Sequence, residues 1–422
     1  MARQKNKAIT LAMTFEYVKE KIIMPEIVEN FYENNIFCLN SFACDCVEDI
    51  QHTSPGMPPV RTYKLQARQD KPLLFSYIAK RGLARIAKNG TSEEDNILGS
   101  LIALPDKKES NLFGFFQRNG FLFPINSANY ESVDATVLYE LICRIKATVE
   151  LMTIANEIKK NYQKVLHLTL YLMLSKPVYV KTDSLSVPYE TCHHHFVDIL
   201  AKADSMQLSW ERRQEEFNKD TYTVADTIIS PSYEFDINEY NDIVSGTSLS
   251  GTVSCTPLYK KIVRLYCCYD GTPMERKIID FLFHLNHDIG QVLTYDMQNG
   301  LTFKGAADFS NPIDSMKAGL LEIARFVLGE EINANLGGIH PEYNVQTMAP
   351  SWKIDSLLSA VYFSIFYLKP DLELYRPCAN PRCGRYFLVR TTSTRTMYCS
   401  DECRNRVMQD RYRKRKRERE VK

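Results

Sequence analysis

Four cysteines near the end of the chain, Cys378, Cys383, Cys399 and Cys403, fall into two close pairs, C-x4-C and C-x3-C, separated by fifteen residues. Two such pairs are what a tetrahedral zinc ion requires, because each pair spans one side of the metal. A redox couple would need only two of them. Four protein thiolates leave no open coordination position, so the expected site is one structural zinc ion rather than a catalytic one. A segment this short buries too little apolar surface to fold unaided. Metal binding is expected to supply most of its folding free energy, on the order of 10 kcal/mol.

The elements that must position these thiols are legible around them. Gly384 follows the second cysteine, where a tight turn around the metal needs a permissive backbone. Arg385 to Val389 and Arg395 to Tyr398 read as two short strands joined by Thr391-Thr392-Ser393-Thr394, a hairpin. Ser400 suits the cap of a helix whose first turn holds Asp401 and Glu402, favourable at the positive end of the helix dipole. Knuckle, β-hairpin and helix describe a small treble-clef-like zinc finger over residues 376–406. Residues 407–422 then read as a basic helical tail, with Val407, Met408 and Tyr412 the few residues able to pack back on the finger.

The tail is dense in Arg and Lys, a surface suited to phosphates because each neutralised phosphate releases counterions and the guanidinium fork matches its oxygens. The nucleic-acid candidates are Arg390, Arg404, Asn405, Arg406, Arg411, Arg413, Lys414 and Arg415. Arg390, Arg404 and Arg406 lie nearest the finger and are the first candidates for defined contacts; the outer residues would give general affinity. Three apolar residues do not make the broad face that a membrane-surface helix needs.

In Cys378-Ala379-Asn380-Pro381-Arg382-Cys383-Gly384, in Phe387, and in Tyr398-Cys399-Ser400 leading to Cys403-Arg404-Asn405-Arg406, the sequence resembles the CGNR-type zinc fingers. Those fingers close a class of bacterial proteins regarded as transcription regulators with a helical N-terminal body. The segment Glu331 to Leu368 resembles the end of that body. The chain departs from the family pattern at Arg404, which stands in place of the glycine, at the closer spacing of the final pair, and at Leu388-Val389-Arg390. The resemblance thus implies a divergent member, and with it a bacterial origin and DNA binding.

Charge supports the same division. The whole chain of 422 residues carries a formal net charge of +1. From Arg376 to Lys422 there are fifteen Lys and Arg against five Asp and Glu, a net +10, whereas the remaining 375 residues carry −9. Such asymmetry points to an anionic partner for the basic part. The twelve cysteines do not form the dense framework of a small secreted domain. The apolar run Ala8 to Phe15 ends at Glu16 without a cleavage site, and Val165 to Leu174 and Leu357 to Leu368 fall short of a bilayer's roughly 20 residues. The expectation is a cytoplasmic protein in a reducing compartment.

The rest of the chain reads as a mainly α body with minor β. Residues 1–125 form a mixed α/β region, with turn signals at Ser54-Pro55-Gly56 and Pro58-Pro59 and a strand-like segment from Phe113 to Pro124. Residues 126–370 form a helical body. Leu138, Leu141, Ile142, Ile145, Val149 and Met152 recur at helical spacing with charges on the other face, an amphipathic pattern. Val165 to Leu174 is a second helix, ending before Pro177. Residues 231–257 are rich in Ser, Gly, Thr and Asp and read as a loop or linker. Helical pattern resumes near Met274, again from Pro312 through Met316, Leu320, Ile323, Ala324 and Val327, and from Trp352 to Leu368 in a segment apolar nearly all round.

Other chemistry-bearing clusters are less coherent. In Cys192-His193-His194-His195 the three consecutive histidines cannot all point to one side of a helix or strand. His284 and His287, with Asp280 one turn before, lack a further ligand; Cys38, Cys44 and Cys46 lack a fourth; Cys267-Cys268 read as core thiols. No phosphate loop, dinucleotide fingerprint or nucleophile elbow occurs, so no enzyme is anticipated. The expected function is a transcription regulator that binds double-stranded DNA, with a body that senses or assembles and that could make a homo-oligomer. The alternatives are a finger that serves protein interaction or structure, its basic helix docked on the acidic body, an RNA-binding tail, and an enzyme with a pocket in the body.

Overall fold

A computed structural model describes residues 35–51, 60–78, 82–87, 92–105, 110–206, 228–229, 233, 235, 237–246, 254–269, 271–345, 348–369, 372–393 and 396–420. The leader-like Ala8 to Phe15 and the turn signals at 54–59 lie outside them. Helix outweighs strand among these residues. They form two compact units. The first takes the chain up to Val149, then Val178–Thr191, then everything from Ile332 onward; the second takes Glu150–Pro177 and Cys192–Glu331.

The first unit is built on an antiparallel sheet. Strand Asn35–Gln51 pairs along its length with Val60–Ile78. On the opposite edge of Val60–Ile78, Gly82–Ile86 pairs with Leu74 to Ile78, and Glu131–Asp134 pairs with Thr62 to Leu65. Alternation explains which face is buried: Cys44 and Cys46, and likewise Tyr63 and Leu65, point inward two residues apart. Burial pushes the Cys46 thiol up to about 12, and Cys44 higher still, so these are inert core thiols. The side chain of Cys38 lies outside the described set.

Residues Ser110–Asn119 are a helix, so the strand expected from Phe113 to Pro124 is not formed. Leu112, Phe115 and Phe116 line one helical face at i, i+3 and i+4, a spacing that the aromatic density of the segment disguised as a strand. Phe116 then meets Phe121 edge to face, with ring centroids 5.1 Å apart.

The helix Ala135–Asn156 buries all six predicted apolar positions, but it is not amphipathic. Arg144, Lys146 and Glu150 are buried as well, so charge on this helix does not mark a solvent face. Its lead-in strand carries Glu131, a fully buried carboxylate that accepts from the backbone N–H of Asn126 and from the N–H and hydroxyl of Ser184. Burial by itself would raise this group; the bonds from Ser184 and Asn126 outweigh burial and lower it below the ordinary glutamate value.

The second unit is helical. Tyr162–Leu174 is capped by Asn161, and Pro257–Cys268 by Thr256. Pro273–His284 starts with a complete capping box between Thr272 and Glu275, Pro273 occupying the first helical position. Tyr266 stacks on Phe283 at 4.0 Å, and Arg276 forms a buried ion pair with Asp280 at 3.2 Å. The loop expected over 231–257 is interrupted by the helix Ile237–Ser245, which buries Tyr240 and Ile243 three residues apart despite the polar composition around them. Helix Asp314–Ala334 buries Met316, Leu320, Ile323, Ala324 and Val327, as their spacing implied.

Back in the first unit, Leu357–Phe366 is buried at every residue from Leu357 to Ile365 and capped by Ser356. It starts later than expected: Trp352 belongs to the strand Ala349–Ile354, which pairs with Ile339–Asn344.

Candidate metal centre and nucleic-acid interface

The metal centre begins one strand earlier than the cysteines suggested. Tyr386–Arg390 does form a strand, but its partner is Glu373–Pro377, upstream of Cys378, and not Arg395 to Tyr398. Thr396 to Tyr398 are not strand, and Arg395 lies outside the described residues. Leu374 and Tyr375 on one strand and Val389 on the other supply the buried contacts that favour this pairing. The first cysteine pair therefore sits in the loop of the hairpin.

Within that loop the backbone is closed on itself. Cys378 N–H donates to the Arg385 carbonyl at 2.8 Å, and Cys383 N–H to the Asn380 carbonyl at 2.9 Å. The Asn380 side chain accepts from Arg382 N–H at 3.1 Å, fixing the turn before Cys383. Gly384 takes φ +60°, the left-handed conformation that a tight exit from the knuckle was expected to need. Ala379 N–H then bonds to the Met397 carbonyl at 2.8 Å, drawing the second pair toward the first.

The second pair is set by a helix start. Ser400 Oγ accepts from Cys403 N–H at 3.3 Å and caps the helix Asp401–Glu420. Cys399 lies just before the cap and Cys403 in the first turn. One sulfur from each cysteine lies within 4.8 Å of all the others. Cys383 Sγ is 3.5 Å and Cys403 Sγ 3.6 Å from Cys399 Sγ. A zinc–thiolate tetrahedron with bonds of about 2.3 Å has edges of roughly 3.8 Å, whereas a disulfide would bring sulfurs to about 2.05 Å. The geometry fits a four-thiolate ion and no disulfide among the pairs. Cys378, Cys383, Cys399 and Cys403 hold one structural zinc.

Electrostatics make the same point. Burial, reinforced by the neighbouring thiols, raises Cys399, and burial raises Cys383. A hydrogen bond from the Asn380 side chain is the main reason that Cys403 falls to about 7. Four clustered thiols cannot all ionise against one another, so a divalent cation at their centre is what allows four thiolates.

The helix that leaves this centre is exposed. After Cys403 and Val407, both buried, every described side chain from Met408 to Arg417 faces solvent. Met408 and Tyr412 do not pack back on the finger as expected; Val407 alone does, one turn after Cys403 on the same face. Of the nucleic-acid candidates, Arg404, Asn405, Arg406, Arg411, Arg413, Lys414 and Arg415 all lie exposed on this helix, and Arg390 lies exposed at the end of its strand. Arg404 pairs with Asp401 at 3.2 Å, and Arg406 with Glu402 at 3.9 Å, exposed contacts worth little. From Arg411 to Arg417 the sequence contains no acid. Helical spacing of 7 and 11 puts Arg404, Arg411 and Arg415 on one face and Arg406, Arg413 and Arg417 on another.

The weaker constellations separate. His284 Nδ1 binds Asp288 at 2.6 Å, His287 Nδ1 meets the Tyr259 hydroxyl at 2.7 Å, and Asp280 belongs to Arg276, so no shared site forms. Cys267 is buried and Cys268 half-buried. Of the three consecutive histidines, His193 and His195 face outward to Asp198, while His194 is fully buried between Glu330 and Glu331. Burial alone would lower His194, but bonds to Cys192, Glu330 and Glu331 raise it to about 11. The first unit also contains a cavity of about 390 Å³ bordered by Phe123, Tyr189, Asn335 and Ser359. Among the described residues no helix is long and apolar enough to cross a membrane.

Residues 375–416 match the family model of the CGNR zinc finger, a span that takes in all four cysteines and most of the exposed helix. Neither a curated protein nor a solved structure matches the chain.

Proposed function

We propose that this chain is a transcription regulator that binds duplex DNA through its zinc finger, treble-clef-like in character, and the basic helix that follows. The observation that carries the reading is the run of exposed cations on a helix whose first turn supplies a zinc ligand. Zinc fixes where the helix starts and which way it points. From Met408 to Glu420 the helix extends about 20 Å beyond its last buried residue, enough to follow a groove or span several phosphates. Exposure of Met408 to Arg417 favours a partner outside the chain over docking of the helix on the acidic body. The body assembles the regulator or senses a signal, and its cavity is the natural place for a small ligand.

The test is binding of the full-length chain to a random duplex by fluorescence anisotropy over a range of salt. Affinity should fall steeply with salt, and deleting 411–422 should flatten the slope by about 0.9 for each phosphate contact removed. Equal slopes before and after deletion would remove the idea. Tighter binding to structured RNA than to duplex would reassign the helix to RNA.

A further inference from the structure

We infer that the second unit carries a second metal site, in which Cys192, His194 and Glu331 bind a divalent ion of the zinc class. One donor atom of each lies within 4.8 Å of the other two, and all three side chains are buried. His194 Nε2 is hydrogen-bonded to a Glu331 oxygen at 3.0 Å, a contact that need open only to roughly 3.4 Å for both to bind one tetrahedral ion with bonds of about 2.1 Å.

The local chain makes this convergence. Cys192 and His194, both buried, flank the exposed His193 in the non-helical segment before the helix His195–Lys202, and His194 keeps extended angles as that helix's cap residue. Extended backbone turns alternate side chains to one side, so Cys192 and His194 face inward while His193 faces Asp198. Glu331 comes from the buried face of the helix Asp314–Ala334.

The donor set selects the metal. A thiolate, an imidazole and a carboxylate suit a borderline ion and not calcium or magnesium, which take oxygens. One thiolate and one carboxylate neutralise a divalent charge, which lowers the cost of placing the ion in a buried site. Glu330 supplies the outer layer: its carboxylate binds His194 Nδ1 at 2.7 Å, the contact that orients a metal-bound imidazole and presents Nε2 to the ion. Binding displaces one proton from Nε2 and one from the Cys192 thiol to solvent. Three protein donors leave one tetrahedral position for a further ligand.

The experiment is the zinc content of the full-length chain after gel filtration from excess zinc, read by native mass spectrometry and elemental analysis. Wild type should hold two ions; Cys192→Ala and Glu331→Gln should each hold one, with the circular dichroism of wild type. A Cys378→Ser, Cys403→Ser double variant should also hold one, which separates this site from the finger. With cobalt in place of zinc, subtracting the Cys192→Ala spectrum from wild type should leave a thiolate-to-cobalt band of a single sulfur. A wild-type chain with one ion, all of it lost on substitution of Cys378 and Cys403, would overturn the site. So would two ions retained in folded Cys192→Ala.

Discussion

Tyr375, in the first strand of the finger, donates its hydroxyl at 3.0 Å to the Asn96 side chain, which at the same time accepts from Gly99 N–H at 2.7 Å and caps the helix Ile97–Ile102. One oxygen thus serves a helix start in the early part of the first unit and the hairpin that carries the metal centre. Gly99 tolerates this closeness because a Cβ there would come within 2.3 Å of the Tyr386 carbonyl oxygen. The hairpin is seated on its unit by these contacts, and the direction of the basic helix is set against it.

Replacing Tyr375 by Phe should cost about 1 kcal/mol, the net value of one hydrogen bond, since Asn96 keeps its bond to Gly99. Asn96→Ala should cost more, because a cap worth about 1 kcal/mol is lost as well. Urea unfolding of both variants and of the double variant would measure this. Strict additivity in the double variant would show that the two groups are not coupled.

Cys403→Ser should abolish zinc binding by the finger and melt much of the helix Asp401–Glu420, because metal binding and folding are one process in so small a module. Far-ultraviolet circular dichroism with and without a strong chelator reads this. A wild-type helix signal that survives complete removal of zinc would contradict it.

Ser400→Ala removes the oxygen that receives Cys403 N–H while leaving all four ligands in place. A cap of about 1 kcal/mol should appear as a zinc affinity lowered about fivefold, measured by competition with a chelator of known affinity. No change in affinity would mean that the helix start does not contribute to holding the second pair.

The acid limb of stability should depend on Glu131. Its folded pKa lies below the ordinary 4.5, so its contribution is present above that value and is lost as pH falls through the depressed folded one. Denaturant midpoints of wild type should therefore drop below about pH 4.5. Glu131→Gln should start less stable at neutral pH and lose less on acidification; parallel pH curves for the two proteins would rule this out.

Local spacing made the metal ligands, the Ser400 cap, the Gly384 turn and most helix cores legible in the sequence, because each depends on residues a few positions apart. What it could not show is partner choice at a distance. The strand Tyr386–Arg390 is recognisable in the sequence, yet its mate Glu373–Pro377 is chosen by burial of Leu374, Tyr375 and Val389, whereas the threonine-rich turn beyond it favours a local hairpin that does not form. Arg144, Lys146 and Glu150 looked like a solvent face because charge in a sequence does not reveal whether a side chain is buried. The alternation of Cys192 and His194 about His193 is legible in the sequence, but Glu331 is too far along the chain to be joined to them from sequence alone.

The division of the chain has a consequence for biogenesis. Since residues from Ile332 onward return to the unit begun by the first strands, that unit cannot be completed on the ribosome until the whole intervening helical unit has emerged. The five strands of the early sheet, all between Asn35 and Asp134, can pair before then; what must wait is their covering by the helix Leu357–Phe366, which lies beyond the intervening unit.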